Sequence, residues 1–374
     1  MTQPERRESS ATRAFAAAAV ALTGLALTLT TPAERLDNHL LDLHWAALAR
    51  FDRVPAPADI VIVGIDERTS GAIAAPPGLW HESIGMALVR IASAKPRAIG
   101  IDLPLPERSY DGMRPGLDRA LLVGLAAARD NGPLVASLSV DTRTRGVRPI
   151  NPPFLALLGE ERLGISLLAR DIDGVTRRFS LVVPTEDGAF PTLAGRLCRM
   201  LSRGCSEGLV NYALGPHFGY VPLQRVLATQ DAAILQGLFK NRVVLLGEIQ
   251  RFANRIPVPV NLAGWEEGGR ESPAVVVHAQ SLRTALLGAA PREASRPMSV
   301  LLVALAALLV LMRDWRHALA TGILAGVAIC ILAAIALRAG IFVPIGGALA
   351  TLVFAWIARA LVSASRAFEF RRRT

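Results

Sequence analysis

Four apolar blocks without a single charged residue constrain this chain more than any other feature: residues 14–31, 298–312, 318–337 and 341–358. A helix that crosses the hydrocarbon core of a bilayer needs about 20 apolar residues, within roughly 17–25. The third and fourth blocks meet that length. The first meets it if its many alanines and threonines are accepted, and the second is short. The chain is 52% hydrophobic, and the excess is concentrated in these blocks at its two ends. The expectation is one membrane helix before residue 32 and about three after residue 297.

Charge orients such a chain. Arg313 and Arg316 separate the second and third blocks, and Arg359, Arg366 and Arg371 to Arg373 follow the fourth, whereas only Arg338 separates the third and fourth. Positive-inside placement then puts residues 1–13 and the basic 359–374 tail in the cytoplasm and 32–297 outside a bacterial inner membrane. The N-terminal block has the basic start of a signal peptide, but no clear small-x-small cleavage site precedes Pro32, so an uncleaved anchor is expected. The net charge of +10 sits largely in these flanks and leaves +3 on residues 32–297. Basicity is therefore a membrane-orientation signal, and nucleic-acid binding loses its warrant. Cys330 lies inside the third block. Cys198 and Cys205 fall in the outer part, where disulfides persist, and both a bridge between them and two free thiols remain open.

Between the blocks the pattern alternates. Residues 34–50 place Leu36, Leu40, Leu43 and Ala47 on one helical face, a stalk that could continue from the first membrane helix. Apolar strands are predicted near 60–65, 97–103, 133–140 and 242–249, with helices over 79–94, 116–130, 193–201 and 272–288. The last helix is bounded by Ser272 as cap, Pro273 and Gly288. Strand, helix, strand in succession predicts an α/β domain with a mostly parallel sheet. Asp173-Gly174 between two apolar runs predicts an antiparallel hairpin over 164–183.

No G-x-S-x-G, H-E-x-x-H, Walker or G-x-G-x-x-G motif is present, and no zinc spacing. The remaining candidates are carboxylates at or near strand ends: Asp66 with Glu67, Asp102, Asp141 and Glu248. In an open α/β sheet those ends line the ligand crevice. The same residues also suit loop capping. Trp80 fits either a pocket wall or the packing of the first helix of the domain. His278, on an apolar face with Val275, Leu282 and Leu286, fits either a core histidine or a ligand contact. Asp171, Asp173 and Gly174 resemble the start of a calcium loop but lack its later ligands, so a turn is expected and no metal or cofactor. The membrane blocks carry no internal charge, which argues against transport. Gly322 and Gly326 form a G-x-x-x-G that permits close helix packing and a homodimer.

Several segments in order resemble one family. PADIVIVGIDERT (57–69), AIGIDLPLPE (98–107), DIDGVTRR (171–178), FKNRVVLLGE (239–248) and SPAVVVHAQSLRTALLG (272–288) are similar to the type 2 CHASE domain. This is an extracellular sensory module associated with bacterial cyclases, histidine kinases and serine/threonine kinases. The resemblance covers roughly residues 35–290. It implies an extracytoplasmic sensor domain with one membrane helix before it and typically three after it. It also implies an unidentified extracytoplasmic ligand, for which Asp66, Glu67, Trp80, Asp102, Glu248 and His278 are the candidate contacts, and no catalysis. Two segments depart from the family. PPGLWHES keeps only Trp80 of a two-tryptophan segment, and Asn254 stands where an aspartate is usual. Relatives commonly continue into an output domain, which the 359–374 tail is too short to form, so the expectation is a stand-alone sensor, a truncated product, or a chain that works with a separate kinase or cyclase as partner, alongside the lipid bilayer. The competing expectations are an extracytoplasmic metal-dependent hydrolase using Asp66, Asp102 and Glu248, and a structural protein that binds another envelope protein through an apolar patch.

Overall fold

The computed structural model describes residues 10–373 apart from 142, 203, 253 and 313. Arg6, Arg7 and Arg313, which contribute to the expected orientation, lie outside the described residues. The chain divides into two compact units. One comprises the residues up to His44 together with those from Pro291 onward, and the other is Trp45–Ala290.

The helices α1 (Ser10–Leu27) and α2 (Thr31–Phe51) meet at an angle of 76°. The amphipathic 34–50 segment is therefore helical as expected, but it is not a straight stalk. The bend has a local cause. The Leu25, Ala26 and Leu27 carbonyls accept N–H groups three residues on, from Thr28, Leu29 and Thr30, and the Thr28 and Thr30 hydroxyls add bonds to the Leu25 and Leu27 carbonyls at 2.6 and 2.7 Å.

In the Trp45–Ala290 unit, β1 (Ile60–Ile65) leads through α3 (Glu67–Ala72) and α4 (His81–Ser93) to β2 (Ala98–Pro104), then through α5 (Leu117–Asp130) to β3 (Leu134–Leu138), and through α6 (Pro152–Leu158) to β4 (Leu163–Ile165). Short ladders follow. The strand β5 (Arg178–Phe179) pairs with β8 (Gly208–Leu209), and β6 (Val182–Thr185) with β7 (Gly188–Pro191), around α7 (Leu193–Leu201). The chain then returns through β9 (Tyr220–Pro222), α8 (Leu223–Ala228), α9 (Ala232–Phe239) and β10 (Val243–Glu248), and closes with β11 (Arg255–Pro257), β12 (Glu271–Pro273) and α10 (Ala274–Leu286). The central sheet has the order β4-β3-β2-β10-β1-β9, and every pairing is parallel.

Side chains alternate across this sheet with period two. Val63, Ile65, Ile99, Ile101, Val244 and Leu246 enter one hydrophobic cluster with α4, α5, α6, α8 and α9. The intervening residues face α7 and α10, and here glycines set the spacing. A Cβ at Gly247 would lie 2.7 Å from Val275 Cβ on α10, and one at Gly100 would lie 2.8 Å from Leu197 Cδ1 on α7. A larger residue at Gly247 would press on a Cβ of α10, whereas one at Gly100 would require the Leu197 and Leu245 side-chain ends to move.

Two expectations need correction. The 164–183 segment is not a hairpin: its first run is β4, parallel to β3, while its second pairs with β8. Asp173-Gly174 does make a tight turn, with Gly174 N–H donating to the Asp171 carbonyl at 2.9 Å, but the flanking runs have other partners. Ser272 does not cap α10. Its hydroxyl accepts the Leu262 N–H at 3.0 Å and donates to Asn261 Oδ1 at 3.1 Å, and Pro273 occupies the N-cap position. Cys198 and Cys205 form a disulfide that ties the end of α7 to the following loop.

In the other unit, α11 (Arg296–Ala307) and α13 (Gly346–Arg373) pack with α1, and α12 (Trp315–Arg338) packs against α13. Residues 315–338 and 346–364 are long and apolar enough to cross a membrane. Residues 14–51 qualify only as a bent pair, and Arg296–Leu311 is a shorter apolar helix. The Gly322/Gly326 face is occupied within the chain: Leu309 Cδ2 approaches Gly322, and Leu349 and Leu352 approach Gly326. The closeness that this motif permits is thus used for packing inside one molecule.

Candidate functional site

The strand-end carboxylates separate into two groups. Asp66 is the N-cap of α3 and accepts the Thr69 amide at 2.8 Å and the Thr69 hydroxyl at 2.6 Å. Its other oxygen accepts the Tyr220 hydroxyl at 3.2 Å. Burial alone would raise its pKa, but these hydrogen bonds to the ionised form hold it below the ordinary carboxylate value. Glu67 Oε1 accepts the Arg251 N–H at 2.7 Å and so ties the loop after β10 to α3. Asp141 is half-buried and accepts the amides of Arg143 and Thr144 within its own loop. These three carboxylates are engaged in fastening loops. Trp80 is buried in the α4 side of the core, and its indole N–H donates to the Ala75 carbonyl at 2.6 Å.

The second group converges. Asp102 shares with Gly100 the sheet face covered by α7 and α10, and its side chain is 3% exposed. It accepts the Ser166 hydroxyl at 2.7 Å, and His278 Nε2 of α10 stands 3.7 Å away, outside hydrogen-bond reach. The His278 side chain is 2% exposed, and Nε2 has no hydrogen-bond partner among the described residues. Glu248, half-buried at the end of β10, adds a second carboxylate. Burial raises its pKa, and the nearby Asp102 charge raises it further. Burial also raises Asp102, only partly opposed by His278 and Ser166.

A cavity of about 210 Å³ lies beside this group. His278 and Ser281 of α10 form one wall. Thr192 and Ala194 at the start of α7 form another, and Leu167 and Leu168, directly after Ser166, form a third. One end of the Asp102 hydrogen-bond chain is therefore adjacent in sequence to a cavity wall, and His278 is itself a wall. Sequence reasoning selected Asp102, Glu248 and His278 but missed Ser166 and the cavity. Neither has a local signal, because Ser166 meets Asp102 across 64 positions. Among the described residues no group of three His, Cys, Asp or Glu side chains is arranged to hold a metal ion.

The raised carboxylates make a prediction with a definite sign. In the folded unit Asp102 and Glu248 keep their protons to higher pH than in the unfolded chain, so the folded state binds more protons within that window. Stability then falls as pH rises from the ordinary carboxylate value through the raised folded values. Asp102→Asn, which cannot ionise, is expected to flatten this dependence and raise stability on the alkaline side of the window. Thermal melts of the two proteins between about pH 4 and 8 check it, and identical slopes would contradict it.

The pocket is walled by α10, the start of α7, the short strands β5 and β6 and the segment after β4, in a chain whose ends are apolar helices, and the comparisons bear on that arrangement directly. Comparison with curated proteins and with solved structures finds no match. The family model of the CHASE2 domain matches residues 17–313, well over half of the chain and including every element of the central sheet. CHASE2 is a family of extracellular sensory domains, and this chain belongs to it.

Proposed function

We propose that this chain is a membrane-anchored receptor whose Trp45–Ala290 unit faces the outside of a bacterial inner membrane, binds a small signal and passes it to a separate signalling protein. The observation that carries this reading is the cavity bordered by His278 and linked through Ser166 to the buried Asp102, within a CHASE2 domain. A ligand shifts a receptor only by binding its two states unequally. A poised pair such as Asp102 and His278, separated by 3.7 Å, offers two such states, paired and unpaired.

Membrane attachment is supported by α12 and α13. Leu324 and Leu332 on α12 are 72% and 63% exposed, as side chains in contact with lipid would be. In this reading α1 and α11 complete a four-span anchor, both termini are cytoplasmic, and the disulfide fits an oxidising compartment. The chain acts by binding and not by catalysis, since Asp66, the first carboxylate that a hydrolase would recruit, is committed to capping α3.

The test is crosslinking co-purification of the tagged full-length protein from its native membranes. Enrichment of a kinase or a cyclase is the expected result. Recovery of the chain alone, or only with copies of itself, would overturn the relay to a separate partner.

A further inference from the structure

We infer that the cavity beside His278 binds a small, neutral, mainly apolar molecule carrying one hydrogen-bonding group, of the size and polarity of a phenol. This inference rests on the receptor reading above and gives its ligand a chemical class.

Size sets the first limit. An apolar cavity of about 150 Å³ accommodates benzene, and this one measures about 210 Å³. A single substituted ring fits, whereas a nucleotide or a sugar chain does not. Charge sets the second limit. Among the described residues no Lys, Arg, Asp or Glu side chain lines the cavity, so an ionised ligand would lose its hydration without a counter-charge. Polar satisfaction sets the third. The Thr192 hydroxyl donates to the Ser180 carbonyl at 2.8 Å and accepts the Gly195 N–H at 3.0 Å, and the Ser281 hydroxyl donates to the Val277 carbonyl at 2.9 Å. Of the side chains at the wall, His278 is the one with a buried nitrogen still lacking a hydrogen-bond partner among the described residues. An unpaired buried nitrogen is costly. A hydroxyl brought in on an apolar ring, with a modest turn of the imidazole, satisfies it while the ring fills the Leu168, Phe179 and Ala194 walls. Such a turn also changes the distance from His278 to Asp102, which gives occupancy a route to the sheet.

The experiment uses the full-length protein in detergent with its disulfide intact and 4-fluorophenol as a fluorine NMR probe. Fluorobenzene and 4-fluorobenzoate serve as comparisons. Saturable 4-fluorophenol binding that phenol displaces is expected, with 4-fluorobenzoate weaker. Val183→Phe and Ala169→Phe, on two different walls, are each expected to abolish it. His278→Leu is expected to weaken 4-fluorophenol roughly 3- to 10-fold, the loss of one hydrogen bond, while leaving fluorobenzene nearly unchanged. His278→Gln, which keeps a hydrogen-bonding group, is expected to retain most of the affinity. Thermal melts confirm that each variant is folded. Absence of saturable binding, binding that survives both wall substitutions in folded protein, or preference for 4-fluorobenzoate would each overturn the inference. If a kinase or cyclase still co-purifies with the chain while none of the probes binds, the ligand class fails and the receptor reading stands.

Discussion

Replacing Arg177 with methionine is expected to destabilise the Trp45–Ala290 unit by about 3 to 5 kcal/mol and to lower its melting temperature by roughly 6 to 20 °C. Arg177 is 1% exposed. Its guanidinium donates to Asp171 Oδ2 at 3.1 Å and to both oxygens of Asp173, at 2.9 and 2.8 Å. Methionine fills much of the same volume but supplies no positive charge, so among the described residues Asp173 keeps only the Val175 N–H, at 3.2 Å, and Asp171 keeps Arg178 as its cationic partner. Arg177 holds its Asp173 carboxyl below the ordinary value, so the stability from this group is lost as pH falls through its folded pKa. The variant should also lose that acid-side dependence. The turn joins the cavity walls at Leu167–Leu168 and Phe179, so the damage should reach the site. Melts of the purified protein check the prediction, and a loss below about 1 kcal/mol, the worth of an exposed pair, would contradict it.

The second large effect is expected at Gly124. The helices α4 and α5 touch through Gly85 and Gly124. A Cβ at Gly124 would overlap the Cα and the carbonyl of Gly85, and one at Gly85 would overlap the Ala120 carbonyl. Backbone stands on both sides of the contact, so no rotamer change relieves it. Gly124→Val is expected to force the helices apart at a cost of about 3 kcal/mol or more. Exposed Arg119 on the same helix provides a control, and Arg119→Val should cost only a few tenths of a kcal/mol, reflecting helix propensity. Equal melting temperatures for the two variants would show that the close approach of α4 and α5 is not required.

These sites also illustrate how far the sequence reaches. The strands at 60–65, 98–104 and 134–138 and the helices α4, α5, α7 and α10 follow directly from periodicity, because each has a continuous buried face. The position of β10 between β1 and β2 does not. Parallel pairing joins Ile60 to Val243, and nothing local encodes a contact of that separation. The strand β9 is three residues long and is too short to carry a pattern. The Asp-Gly signal at 173–174 identified a true turn but not its partners, because the neighbouring arginines, which bind Asp171 and Asp173, fix the turn without strand pairing across it. Within the site, a carboxylate inside a buried strand and a histidine on an apolar helix face were legible one by one. Their meeting, the part played by Ser166 and the cavity beside them arise only from the tertiary fold. Cys198 and Cys205 were close enough to pair, yet spacing alone left the bond open.

The account depends most on which side of the membrane the Trp45–Ala290 unit occupies. Labelling intact cells with a membrane-impermeant maleimide tests this, using two single-cysteine reporters in a Cys330→Ala background with the native disulfide retained. One reporter is Glu186→Cys, at an exposed position before β7, and the other is Thr374→Cys. The account predicts that the cysteine at 186 reacts in intact cells, that the one at 374 reacts only after lysis, and that Cys198 and Cys205 react only after reduction. Labelling of position 374 in intact cells, with 186 protected until lysis, would place the unit in the cytoplasm and contradict an extracytoplasmic receptor.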